Sequence, residues 1–261
     1  MVYHLHITNK NYSSWSLRPW VLMRALSIPF TEHLHELHEL VPGSYAQPQW
    51  SAFSPVAHVP CLHDVPASPP SSIPSHQSPP ETLILWDSLA IIEHLSEHHP
   101  TLPIYPPISS PVARAWARSA TAEMHSSFSA LRSEMGMNIG LRIALSGGPA
   151  REPSAALTAD LARINALWRE GITRFGGPFL AGAEFGAVDA FYAPVALRVQ
   201  TYVGAEDVLC EEARAYVRRV VKVPAVREWV EAALAETARD RLHDEDSIAG
   251  RRVIADLRAV A

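Results

Sequence analysis

The sequence predicts an α/β domain followed by an all-helical one. Residues 2–8 and 30–37 alternate around a helical stretch, giving a strand–helix–strand unit whose right-handed crossover makes the two strands parallel. Two short apolar runs, Val59–Leu62 and Leu83–Trp86, supply further strands, and the second leads directly into a helix. From Pro111 onward strand signals vanish, and apolar residues recur every three or four positions.

Along the chain, Val2, His4 and His6 alternate with Tyr3, Leu5 and Ile7, the period of a strand. A helix follows over Trp15–Leu26, with Ser16 as candidate N-cap and Pro19 tolerable in its first turn. Pro66–Pro80 holds eleven Pro or Ser among fifteen residues, a composition that predicts a flexible insertion. Leu102–Pro107, with three prolines, reads as the linker between domains. Beyond it, Ala113, Trp116, Ala117, Ala120, Met124, Phe128, Leu131 and Met135 mark one long helix. Further helices are expected over 154–175, 187–203, 207–221 and 224–238, and a short extra helix from Ser247 onward. The expected organisation is an α/β domain over 1–101 with the insertion at 66–80, an all-α domain over 108–238, and a C-terminal extension over 239–261.

The composition narrows the function. The 261 residues are 48% apolar and 19% charged with a net charge of −5, the wrong sign for a chain whose main partner is nucleic acid. Two cysteines, Cys61 and Cys210, form neither a disulfide framework nor a zinc spacing. No run reaches the roughly 18 apolar residues that a membrane span needs. The N-terminal residues lack the pattern of a signal peptide. A cytoplasmic protein with neither a membrane nor a nucleic-acid partner is expected. The histidines in His33–His38, and the pair His94 and His98, lack a third ligand at supporting spacing, so no metal site is expected.

The element order, with a polar loop after the first strand, is the thioredoxin arrangement. Its redox form carries C-x-x-C where this chain has Ser13-Ser14-Trp15-Ser16, which excludes a dithiol mechanism. A serine there can instead donate a hydrogen bond to the thiolate of another molecule. The segment Asn11–Trp20 resembles the active-site loop of serine-type glutathione transferases, with a zeta-like or tau-like register. Three more segments are similar in order: Ser54–Leu62, Leu85–Ile91 and Phe185–Pro194. The resemblance implies a thioredoxin-like N-terminal domain and glutathione as co-substrate. It puts the catalytic serine at Ser13, with Ser14 as runner-up. It further implies a cis bond at Val59-Pro60, glutathione contacts from His58, Val59, Pro60, Asp87 and Ser88, and a homodimer. In this fold the long helix lines the cleft opposite the thiol, which makes Met124, His125 and Phe128 the candidate second-substrate pocket.

The chemical demand on a serine is modest. Lowering a thiol pKa from about 8.5 to about 6.5 takes about 2.7 kcal/mol. A charge-assisted hydrogen bond supplies roughly 1.5–3 kcal/mol, and a helix N-terminus roughly 0.3–1 kcal/mol more. Helix capping by Ser13 and Ser14 is the bland alternative, weighed against the availability of Ser16 for that task. One departure from the family pattern stands out: Gly186 occupies the position of a helix-capping Ser or Thr, three residues before Asp189. The implied activity is attack of glutathione on a small hydrophobic electrophile, in detoxification. The alternatives are a zeta-like glutathione-dependent isomerase, for which Arg118 and Arg132 are cationic pocket candidates, and a non-catalytic ligand-binding homologue.

Overall fold

A computed structural model describes residues 2–37, 47–66, 81–146 and 152–258. The Pro/Ser insertion from residue 67 and the last histidine of the 33–38 run lie outside these residues. Strand β1 (Val2–Thr8) leads through helix α1 (Ser14–Ala25) to β2 (Phe30–His35), which pairs parallel to β1. Strand β3 (Cys61–Val65) runs antiparallel to β1 on its other side, and β4 (Leu83–Trp86) antiparallel to β3. The sheet order is therefore β2-β1-β3-β4, the mixed sheet of a thioredoxin-like domain.

The period of two explains both faces of the sheet. Tyr3, Leu5 and Ile7 are buried in the main core, which also takes in Leu17, Trp20 and Val21 of α1. The alternate positions carry histidines that pack against one another: His4 meets His33 and His6 meets His35, each pair with ring nitrogens 2.9 Å apart. Phe53 stacks on His6 and His35 with ring centroids 4.4 and 4.2 Å apart. Burial, together with the neighbouring His63, His33, His35 and His4, pushes the His6 pKa down to about 3.

Helix α2 (Ser88–His98) follows β4 and packs on α1 and β3. The C-terminal region is helical, with α3 (Pro111–Ser126), α4 (Ser129–Glu134), a strand β5 (Leu141–Ala144), α5 (Ala155–Phe175) and α6 (Ala187–Thr201). After α6 come β6 (Tyr202–Val203), α7 (Glu211–Val220), α8 (Pro224–Ala235), α9 (Arg241–Ile248) and β7 (Val253–Asp256). Helix α6 is the centre: every residue but Gln200 is buried, so it has no polar stripe. Its N-terminus is held by Asp189, which accepts from the backbone N–H groups of Gly186 and Leu180 and from the Tyr216 hydroxyl, all at 3.0 Å. Burial pushes the Asp189 pKa up to about 6 against the pull of those bonds. The glycine at position 186 has a steric cause. A Cβ there would lie 2.9 Å from the Ile104 carbonyl oxygen and 3.0 Å from that of Pro103.

Four expectations need correction. The long helix breaks at Phe128, whose backbone adopts the left-handed conformation (φ 63°), so Arg132 sits on α4 and not on a common face with Arg118 and His125. Helix α1 is capped by Ser13 and begins at Ser14, which leaves Pro19 inside the helix and Ser16 buried within it. Strands do occur after Pro111: β5 lies between β6 and β7 in a small second sheet. Finally, the tail helix ends at Ile248 instead of starting near Ser247.

Candidate active site

Helix α1 starts at Ser14, and a short turn joins it to the end of β1. The turn is fixed from the C-terminal region. Glu236 accepts from the Lys10 and Asn11 backbone N–H groups at 2.7 and 3.2 Å, and the Trp229 indole donates to the Lys10 carbonyl at 2.9 Å. Beside this turn opens a cavity of about 560 Å³. Its walls include Ser13, Ser14 and Trp15 from the helix start, and His58 and Val59 from the segment before β3. Arg132 and Met137 from the region after the helix break, Arg198 of α6, and His243 and Ser247 of α9 complete it.

The two serines differ. Ser13 Oγ donates to Ser16 Oγ at 2.8 Å and accepts from the Ser16 backbone N–H at 3.3 Å, so it is the N-cap. Ser14 Oγ accepts from Arg198 Nη2 at 3.4 Å, which orients the hydroxyl from its oxygen side and leaves its proton to donate. Arg198 itself is held by the carbonyls of Met135 and Pro194. Burial draws its pKa down to about 10, and it remains a cation at neutral pH.

Arg198 belongs to a cluster of positive charge. Arg18 is buried, with its guanidinium 4.0 Å from the Trp15 ring centroid and 4.8 Å from that of Phe191. Arg132 lies over the same Trp15 ring at 4.8 Å and donates to the carbonyls of Met124 and His125. Burial, then the charges of Arg132 and Arg198, hold the Arg18 pKa well below the arginine range, with Asp87 pulling it back up. The Nε of Arg132 has no hydrogen-bond partner among the described residues. Such a cavity favours an anion.

The remaining residues named from sequence fall in three places. The Val59-Pro60 bond is cis, Pro60 is buried, and His58 and Val59 stand on the cavity wall. Asp87 and Ser88 form the N-terminus of α2, and Asp87 has a positive φ of 78° unusual for a non-glycine residue. Asp87 accepts from the Leu89 N–H at 2.7 Å and lies 3.3 Å from His125 Nε2. Ser88 is buried and accepts from Arg18 at 3.4 Å. Met124 and Phe128 are packed in the core, and His125 sits edge-on to Trp15. None of Met124, His125 and Phe128 lines the cavity, and neither do Pro60, Asp87 and Ser88. The wall that sequence reasoning assigned to Met124, His125 and Phe128 is built by residues after the helix break and by the C-terminal tail. Trp15 and Arg198 were missed, although Trp15 stands in the quoted active-site segment.

Comparison with known proteins bears on the fold. Residues 12–98 match the glutathione S-transferase N-terminal domain family. Glutathione transferase Omega 2S from Trametes versicolor, in complex with 2,4-dihydroxybenzophenone, aligns with 87% of this chain and 93% of its own at 19% identity and a TM-score of 0.59. The fold is that of a glutathione transferase. A glutathione transferase homolog from Burkholderia with bound glutathione covers 89% of this chain and 98% of its own, at 18% identity and a TM-score of 0.56. FzlA from C. crescentus shares the fold over 95% of this chain and all of its own, at 16% identity and a TM-score of 0.60. No curated protein matches the chain by sequence. Among the described residues no helix is long and apolar enough to cross a membrane.

Proposed function

We propose that the chain is a glutathione transferase that seats glutathione against the start of α1, with Ser14 donating to the thiolate and Ser13 capping the helix. The observation that carries this reading is the contact of Ser14 with the buried Arg198 on the cavity wall. A hydroxyl whose oxygen already accepts from a cation is a better donor, and a thiolate forming there meets the fields of Arg198 and Arg132 as well as the helix N-terminus. Val59 would pair with the cysteinyl part of glutathione through its backbone. The N-terminus of α2 at Asp87 and Ser88 would take the glutamyl end, and the positive φ at Asp87 fits a residue held in place for binding.

The acceptor side combines the apolar surfaces of Trp15, Trp50 and Met137 with two guanidinium groups. That combination favours a small electrophile with an apolar body and an anionic or electron-rich group. Two free cysteines, one of them the buried Cys61, suit a reducing compartment such as the cytoplasm. A homodimer is supported by edge strand β4, which exposes Leu83, Ile84 and Trp86. Light scattering should give the mass of two chains, and Leu83→Lys that of one.

The experiment for the function is calorimetric titration with glutathione, followed by assays with aryl halides and α,β-unsaturated acids. Saturable binding with turnover supports a transferase. Saturable binding without turnover of any electrophile would make the chain a ligand-binding homologue, and absent binding would overturn the assignment.

A further inference from the structure

The C-terminal end of α2 carries a second constellation, away from the cavity walls. His94 and His98 are four residues apart on α2 and share one face, with ring centroids 4.0 Å apart. Strand β3 brings Asp64 beneath them, thirty residues earlier in the chain, and Asp64 Oδ2 lies 2.9 Å from His94 Nε2. One nitrogen from each histidine and one oxygen from Asp64 all lie within 4.8 Å of one another. This is the third ligand that linear spacing could not reveal.

A buried histidine–carboxylate pair accounts for only part of this arrangement. Asp64 is 2% exposed, and its second oxygen, Oδ1, has no hydrogen-bond partner among the described residues. A buried, unpaired carboxylate oxygen is costly unless something positive meets it. His98 Nδ1 lies 2.9 Å from the His94 carbonyl oxygen. Since a carbonyl only accepts, that nitrogen carries the proton, and the lone pair of His98 is left on Nε2. A backbone bond of this kind is what fixes the tautomer of a metal-binding histidine. His99 is not a further ligand, because its Nε2 meets the Tyr3 hydroxyl at 3.1 Å.

We propose that Asp64, His94 and His98 bind one divalent transition metal ion, best Zn²⁺. Two imidazoles and one carboxylate are a zinc donor set, and the exposed position of His98 leaves the fourth site to water. The ion takes the place of the proton between His94 and Asp64, meets the buried carboxylate charge, and ties β3 to the last turn of α2. The histidines on the opposite face of the sheet do not form such a set, since they spend ring nitrogens on one another.

The test uses the full chain, stripped with a chelator and kept free of glutathione, which itself binds zinc. Calorimetric titration with ZnCl₂ should show one ion per chain and a rise in thermal midpoint that chelator reverses, and Co²⁺ should give the visible band of a four-coordinate site. His98→Ala, an exposed substitution that leaves the fold intact, should weaken Zn²⁺ binding by at least about tenfold, and Asp64→Asn by as much if it folds. Glutathione binding by His98→Ala should be unchanged. Zinc binding that His98→Ala leaves intact, or no saturable binding up to about 100 μM, would overturn the site.

Discussion

Two segments far apart in the chain wall the same cavity by different means. The first, from Asn9 to Arg18, has local bonds of its own, with the Tyr12 and Ser13 N–H groups donating to the Asn9 carbonyl and Ser13 capping the helix it precedes, besides its ties to Glu236 and Trp229. The second, from Arg239 to Arg258, is held by long-range polar contacts. Asp244 accepts from the Tyr12 hydroxyl, Asn138 Nδ2 and Arg258, and Tyr202 donates to the Ser247 carbonyl. Arg251 donates to the Glu134 carbonyl at 2.7 Å. Local turns and caps give the first wall a share of bonds that changes in the tail leave in place. A wall made of distant carboxylate and arginine pairs depends on each of them.

The largest expected effect follows from that dependence. Asp244→Ala removes the acceptor of three donors at once and should cost about 2–3 kcal/mol. It should release the tail to proteolysis near Arg241 and weaken electrophile binding. Glutathione affinity should change less than about twofold, because the proposed glutathione contacts at Val59, Asp87 and Ser88 make no bond to Asp244. Equal losses of both would show that the two walls are one unit.

A pH series next separates the sheet that carries the first wall from the tail. The depressed His6 pKa means that the unfolded chain takes up a proton below 6.5 that the folded chain refuses until about 3, so stability falls as pH drops through that window. His33 and His35, also pushed down chiefly by burial, add to the slope. In the tail, Asp256 is held below its ordinary 3.8 by its bond to Arg258, so its contribution is lost only at lower pH. Between pH 6.5 and 4 the urea midpoint should therefore fall, and His6→Phe should flatten that fall. A wild-type slope retained in His6→Phe would remove His6 from the account.

The smallest effect is on the first wall itself. Ser13→Ala should cost about 1 kcal/mol, the worth of an N-cap, measurable as a shift in urea midpoint. A loss below a few tenths of a kcal/mol would mean that Ser16 or water replaces the cap.

The same contrast governs what the sequence discloses. Strands β1 to β4, α5 and α8 were legible because alternation and the 3.6 period are local signals, as was the serine loop before α1. The turn at Phe128 was not, because a left-handed aromatic residue leaves no glycine to announce it. Strands β5, β6 and β7 span two to four residues each, too short for a period. The identity of the cap depended on which serine hydroxyl reaches which N–H, a matter of one residue in register. Arg198 lies in the last turn of a buried, mostly apolar helix, and a charged residue at that place was the signal available for it.

In the proposed site Ser14, oriented by Arg198, stabilises the glutathione thiolate while Ser13 serves the helix. The most direct measurement of that division is the thiolate absorbance of bound glutathione as a function of pH in wild type, Ser13→Ala and Ser14→Ala. A thiol pKa below about 7.5 is expected in wild type and in Ser13→Ala. In Ser14→Ala it should return toward about 8.5 with glutathione still bound. A pKa that rises in Ser13→Ala and stays low in Ser14→Ala would contradict that division.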